Sequence, residues 1–187
     1  MKSLPSDEGQ SVGTVLRIWE EIIGSMDQYT HDSLLSKFYL PEEILTQCKK
    51  SAEIFAQLLY SPIPSSKEIE KTKLYGLMYL SMACGVQIFL KERSIEKGYT
   101  PYKIANDPAH IRNTRLKIGN MLSEGVRVKS PVSQVIDLFI FHLDTNSYIK
   151  KFSIKKKEFN AEKFEDLLPA AIMWGYLTAK ELVVDIQ

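Results

Sequence analysis

The sequence predicts an all-α, mainly helical protein, a single-domain bundle of six to eight helices around one buried central helix. Three observations predict it. The run Leu74–Leu90 carries no charged side chain, and a helix apolar on every side has to sit inside a core or a membrane. Elsewhere, apolar residues recur every three or four positions between capping residues and glycine or proline breaks. The composition, 44% hydrophobic and 25% charged over 187 residues, is that of a chain able to bury a core without staples.

The neutral run favours a protein core over lipid. At ~1.5 Å per residue it reaches about 26 Å, against roughly 30 Å of hydrocarbon. It also holds Gln87, Ser81, Gly76, Gly85, Tyr75 and Tyr79, which lipid does not favour near its centre. No membrane span is expected. Residues 1–10 read as a polar, flexible leader without an apolar signal region. Residues 11–187 read as one helical domain.

In chain order, Ser11 can cap a helix carrying Val12, Val15, Leu16, Trp19, Ile22 and Ile23, with Gly24 as its stop. A short helix is expected over Asp32–Tyr39. Pro41 suits a first helical position, and Glu42 and Glu43 suit the positive end of the dipole. That helix runs to about Tyr60 through Ile44, Leu45, Cys48, Ile54, Phe55, Leu58 and Leu59. Pro62 and Pro64 break the chain. Ser65 and Glu68 have capping-box spacing and open a long helix, Ser66–Lys97, that Gly98 ends. Ser81, Cys84 and Gly85 are small enough to admit a neighbouring helix.

Thr100-Pro101 suggests one helical turn, Pro101–Ala105. Asp107-Pro108 is a cap followed by a first-turn proline, leading a helix towards Glu124 and Gly125. Ser130-Pro131 repeats the signal ahead of a stripe through Val132, Val135, Ile136, Phe139, Ile140 and Leu143. Two alternating stretches, 126–129 and 152–156, are candidates for one short two-stranded ribbon. Asn160 caps a helix interrupted at Pro169, and Ala170–Ile186 reads as an apolar closing helix.

The formal net charge of +1 hides an uneven distribution. It is −4 over residues 1–60, +1 over 61–90, +8 over 91–157 and −4 over 158–187. A basic middle between acidic ends marks either an anion-binding face or segments that neutralise one another in the fold.

Residue constellations exclude more than they assign. Cys48 and Cys84 lie in apolar helical text, which is no disulfide framework and suits a reducing, cytoplasmic setting. His31, His110 and His142 offer no i,i+4 pair for zinc. The adjacent pair His31-Asp32 resembles the motif of the metal-dependent phosphohydrolases named after that dipeptide. That family's metal site also needs a histidine well upstream, and none precedes His31. There is no Gly-x-Ser-x-Gly elbow and no glycine-rich phosphate loop. No catalytic residue, metal ligand or cofactor is assigned.

The segment 101–128, PYKIANDPAHIRNTRLKIGNMLSEGVRV, loosely resembles a helix-turn-helix with the start of a wing. Ile104-Ala105 fall where a first helix packs, Thr114 near the start of a recognition helix, and Leu122 and Gly125-Val126 at its exit. The resemblance implies that Arg112, Arg115 and Lys117 face phosphates or base edges. Arg115 and Gly119 replace apolar residues of that pattern, and Pro108 falls in its turn. A plain helical hairpin with an arginine-rich exposed face accounts for the same residues.

The functional expectation is a cytoplasmic, non-enzymatic helical interaction or assembly subunit with a basic central surface for an anionic partner. Its binding residues are Arg112, Arg115, Lys117, Lys150, Lys151, Lys155, Lys156 and Lys157, acting through charge rather than base reading. One alternative is a nucleic-acid-binding regulator built on 101–128. Another is a helical hydrolase or small-ligand-binding bundle closed around His31, His110 or His142. The expected partner is a protein or a nucleic acid, with a second copy of this chain, paired through Ala170–Ile186, as a further candidate.

Overall fold

The computed structural model describes residues 12–23, 40–60, 65–123 and 160–186. Among the described residues there are six helices and one two-stranded antiparallel sheet. In chain order these are α1 (Val12–Ile23), α2 (Glu42–Leu59), α3 (Ser66–Ile69), α4 (Lys73–Lys97), β1 (Tyr102–Ile104), α5 (Pro108–Ser123), α6 (Ala161–Leu182) and β2 (Val183–Asp185). The expected helices at 32–39 and 131–143 and the expected ribbon of 126–129 with 152–156 lie outside the described residues.

α4 is the central helix. Every side chain from Leu74 to Val86 is buried, Ala83 and Gly85 included. α1, α2 and α6 all pack on it, and α6 does so most extensively. α4 is long and apolar enough to cross a membrane, yet most of its apolar stretch is covered by the protein itself. That burial is consistent with the absence of a membrane span.

The α4–α6 crossing is close because each helix has glycine at the contact. A Cβ on Gly85 would lie 1.9 Å from the carbonyl oxygen of Ile172, and one on Gly175 would lie 1.8 Å from that of Met82. No larger residue fits either position without separating the helices. Two hydroxyls enter this core without stranding a donor. Ser81 donates to the carbonyl of Leu77 at 2.5 Å and Thr178 to that of Trp174 at 2.7 Å, each one turn back on its own helix.

α2 buries Ile44, Cys48, Ala52, Phe55, Ala56 and Leu59. Ile54 and Leu58, read from the sequence as part of this stripe, are instead exposed on its outer side. Trp19 is buried, and the half-buried Trp174 meets Phe55 edge-on at 5.5 Å.

Four sequence expectations are corrected. The helix expected over 66–97 is two helices. Ser65 caps α3 through the Glu68 amide at 3.4 Å, and Thr72 then opens α4 with its own cap on the Tyr75 amide at 3.2 Å. Pro169 does not interrupt α6. Its ring removes only the bond to the carbonyl of Glu165, and Glu165 lies on the exposed side, where solvent can replace the donor. Residues 102–104 are a strand rather than a helical turn, and the final helix gives way at Leu182 to a second strand.

These two strands pair with each other, Tyr102 opposite Asp185 and Ile104 opposite Val183. The pairing is extended by the Ala105 amide on the carbonyl of Leu182 at 2.8 Å and by the Ile186 amide on that of Pro101 at 3.4 Å. Gly98 makes the turn into β1 possible. It ends α4 at φ 66°, a conformation that suits glycine.

Candidate functional site

α5 begins as its sequence demands. The Asp107 carboxylate accepts from the Ala109 amide at 3.2 Å, with Pro108 in the first turn. The helix turns Thr114 and Ile118 into the core and half-buries Ile111, Met121 and Leu122 against α6. Spacing then places Arg112, Asn113, Leu116, Lys117 and Asn120 on the exposed side, with Leu116 60% exposed. The helix carries three basic side chains, Arg112, Arg115 and Lys117, and no acidic one.

These three residues have different surroundings. Lys117 donates to the Glu181 carboxylate of α6 at 2.8 Å. Arg112 is exposed, Arg115 is half-buried, and neither forms an ion pair with any described residue. The lysines at 150, 151 and 155–157 lie outside the described residues. Over its described part, segment 101–128 holds one strand and one helix, and a strand occupies the place of the first helix of a helix-turn-helix.

Part of the basic middle is neutralised by the acidic end. Besides Lys117–Glu181, Asp185 on β2 binds Arg93 at 2.8 Å and is also held by Lys97. The two cations on α4 hold the Asp185 carboxyl below the usual aspartate range, Lys97 more strongly than Arg93. Arg93, only 7% exposed, also lies over the ring of Tyr102 with its guanidinium carbon 4.8 Å from the centroid. Because the register sets Tyr102 opposite Asp185, one guanidinium grips both strands and ties the ribbon to the end of α4.

One turn of α4 beside this clamp, Glu92 accepts a hydrogen bond from the Tyr176 hydroxyl of α6 at 2.6 Å. The other carboxylate oxygen of Glu92 is buried and finds no donor among the described residues. Burial pushes the Glu92 carboxyl above its usual range, and Glu96 adds to the shift. The Tyr176 hydrogen bond and Lys180 oppose it. The Tyr176 hydroxyl is pushed up as well, first by burial and then by Glu92.

Sequence reasoning missed this junction. Tyr176 and Glu92 are 84 positions apart, and Arg93 and Asp185 are 92 apart, so no local spacing signals them. The one signal present was the return of charge at Lys91–Arg93 after the neutral run.

The remaining reactive side chains among the described residues are buried or engaged. Cys48 and Cys84 are free and fully buried, and burial raises both thiols, that of Cys48 to about 12. Neither can act as a thiolate. Nε2 of His110 is 3.1 Å from the carbonyl of Glu181 and donates to it. Among the described residues no group of His, Cys, Asp or Glu is placed to hold a metal ion. No known protein family, no curated protein and no solved structure matches this chain.

Proposed function

We propose that this chain is a non-enzymatic helical interaction or assembly subunit that receives an anionic partner on the outward face of α5. The observation that carries the reading is the charge of that helix. Three basic side chains stand on α5 with no acidic one, and only Lys117 is answered from within the described residues. Arg112 points to solvent from a helix whose opposite side is anchored by Thr114 and Ile118. A cation held on a rigid element attracts an anion at little ordering cost. Lys150, Lys151, Lys155, Lys156 and Lys157 belong to the proposal through their charge.

The nucleic-acid reading draws its support from Asn113, exposed next to Arg112, because amide and guanidinium groups can pair with base edges. Fluorescence anisotropy of the full chain with a labelled twenty-residue polyglutamate, and with a duplex of equal length, separates the two. The interaction reading expects salt-sensitive polyglutamate binding that weakens about tenfold when Arg112 and Arg115 both become Ala. Duplex binding that is tighter than polyglutamate binding, and lost in the same variant, would favour the regulator. Polyglutamate affinity unchanged in that variant contradicts the α5 face.

A further inference from the structure

A cleft of about 440 Å³ opens beside the last turns of α4, where the chain passes into β1. Its walls include Leu90, Arg93 and Ser94 from α4, Tyr99 and Pro101 from the turn, and Tyr102 from β1. The volume lies within the range of small-ligand clefts, and the wall is mainly apolar with a few polar groups. Among the residues that line it, Arg93 alone is charged.

Arg93 has donors to spare. Among the described residues its guanidinium donates to Asp185 alone, through Nη2 at 2.8 Å. The side chain is only 7% exposed, yet none of its nitrogens is both buried and without a partner. Nε and Nη1 therefore still reach open space. Asp185 does not line the cleft, so no carboxylate of the wall competes for these N–H groups. The ring of Tyr102 lies against the guanidinium and holds its plane. Ser94 adds a half-buried hydroxyl that bonds to no described residue.

Charge and shape then select the ligand. Arg93 and Lys97 bring two positive charges against the one negative charge of Asp185. The negative pole of α4 acts against an anion at this end, and the surplus cation offsets it. Tyr99 stands at the mouth, 99% exposed, beside Gly98 at φ 66°. An aromatic ring left wholly in water next to an apolar cleft is free to fold over an occupant.

We infer that this cleft binds a small carboxylate carrying a flat apolar body. The carboxylate accepts from the free N–H groups of Arg93 and from the Ser94 hydroxyl, and the body lies against Leu90 and Pro101 under Tyr99. The same chemistry is available from a free aryl acid or from the C-terminal carboxylate of a partner ending in an aromatic residue. The site is separate from the α5 face and does not depend on it.

The test is titration of the full, isotopically labelled chain with phenylacetate, with acetylalanylphenylalanine, and with phenethylammonium. Saturable shifts of the Leu90, Ser94 and Tyr102 amide signals are expected with at least one of the two acids and not with the ammonium. Tighter binding of phenylacetate points to a free acid, and tighter binding of the blocked dipeptide points to a partner's C-terminus. Arg93→Lys keeps the charge beside Asp185 but loses the planar N–H edges, and is expected to weaken binding about tenfold while the α1 and α2 signals stay in place. Tyr99→Ala, at a fully exposed position, is expected to weaken it about threefold. Absence of saturable shifts with both acids overturns the proposal, as does an equal response to the ammonium. So does unchanged affinity in either variant.

Discussion

The waist of α4 and its C-terminal end are the same helix under opposite rules. From Leu74 to Val86 every side chain is buried, and the contact with α6 is set by two glycines and the carbonyls they face. From Phe89 to Lys97 the helix meets α6 through the Glu92–Tyr176 hydrogen bond and β2 through the ion pairs of Arg93 and Lys97 with Asp185. The waist is held by shape, which tolerates no added volume. The end is held by charge, which depends on protonation and leaves a cleft. The difference implies that stability resides in the first region and adjustable chemistry in the second.

The largest expected effect is at the waist. Gly85→Ala or Gly175→Ala puts a methyl group onto backbone across the crossing. Each is expected to cost about 3 kcal/mol in urea unfolding. A loss under about 1 kcal/mol would show that the helices are not so close. Next comes the clamp. Arg93→Ala removes a nearly buried guanidinium from Tyr102 and Asp185 and is expected to cost about 2 kcal/mol. Hydrogen exchange of the Ala105 amide is expected to rise with it, and unchanged protection would mean that the ribbon does not need the clamp.

Smaller effects follow the two carboxyls, with opposite signs. The folded state holds the Glu92 proton to higher pH than the unfolded chain does. Its contribution is therefore complete below the ordinary glutamate range and is lost as pH rises through the folded value. Glu92→Gln is expected to flatten that decline in a melting-temperature series from pH 2 to 8. Asp185 is held low, so its contribution is present above the ordinary aspartate range and fades as pH falls towards the folded value. Asp185→Asn is expected to lose this acid limb. A wild-type profile with neither slope would contradict the charged-end account. The smallest effect is at Arg112, where replacement by Ala is expected to change stability by no more than about 0.5 kcal/mol, because the side chain is exposed and forms no ion pair with the described residues.

The waist was legible in the sequence because its signals are local. An unbroken neutral run marks a helix buried all round, and Ser81 and Gly85 announced a close neighbour. Asp107-Pro108 and Asn160 mark their helix starts for the same reason, through caps acting within one turn. The charged end was legible only as an imbalance. Acidic residues after 158 and basic residues after 91 implied mutual neutralisation, and Glu181 and Asp185 supply it. Which acid meets which base depends on β1 pairing with β2, a contact between distant segments that three-residue strands cannot advertise. Thr100-Pro101 is a helix-start signal that predicts a helical turn over 102–104, and pairing with the chain end overrides it. Of the predicted binding residues, α5 brings Arg112, Arg115 and Lys117 onto one helix, and Lys117 is already engaged by Glu181.

The central claim is that the neutral waist is covered by this protein's own helices. Cys84 sits in that waist and Cys48 on the helix packed against it, both fully buried. The direct measurement is thiol labelling with a maleimide in buffer free of detergent. The account predicts a dispersed chain with neither thiol labelled over the time in which a free cysteine reacts completely, and both labelled in denaturant. Rapid labelling of Cys84 in the native chain, or a chain that stays dispersed only with detergent, would contradict it.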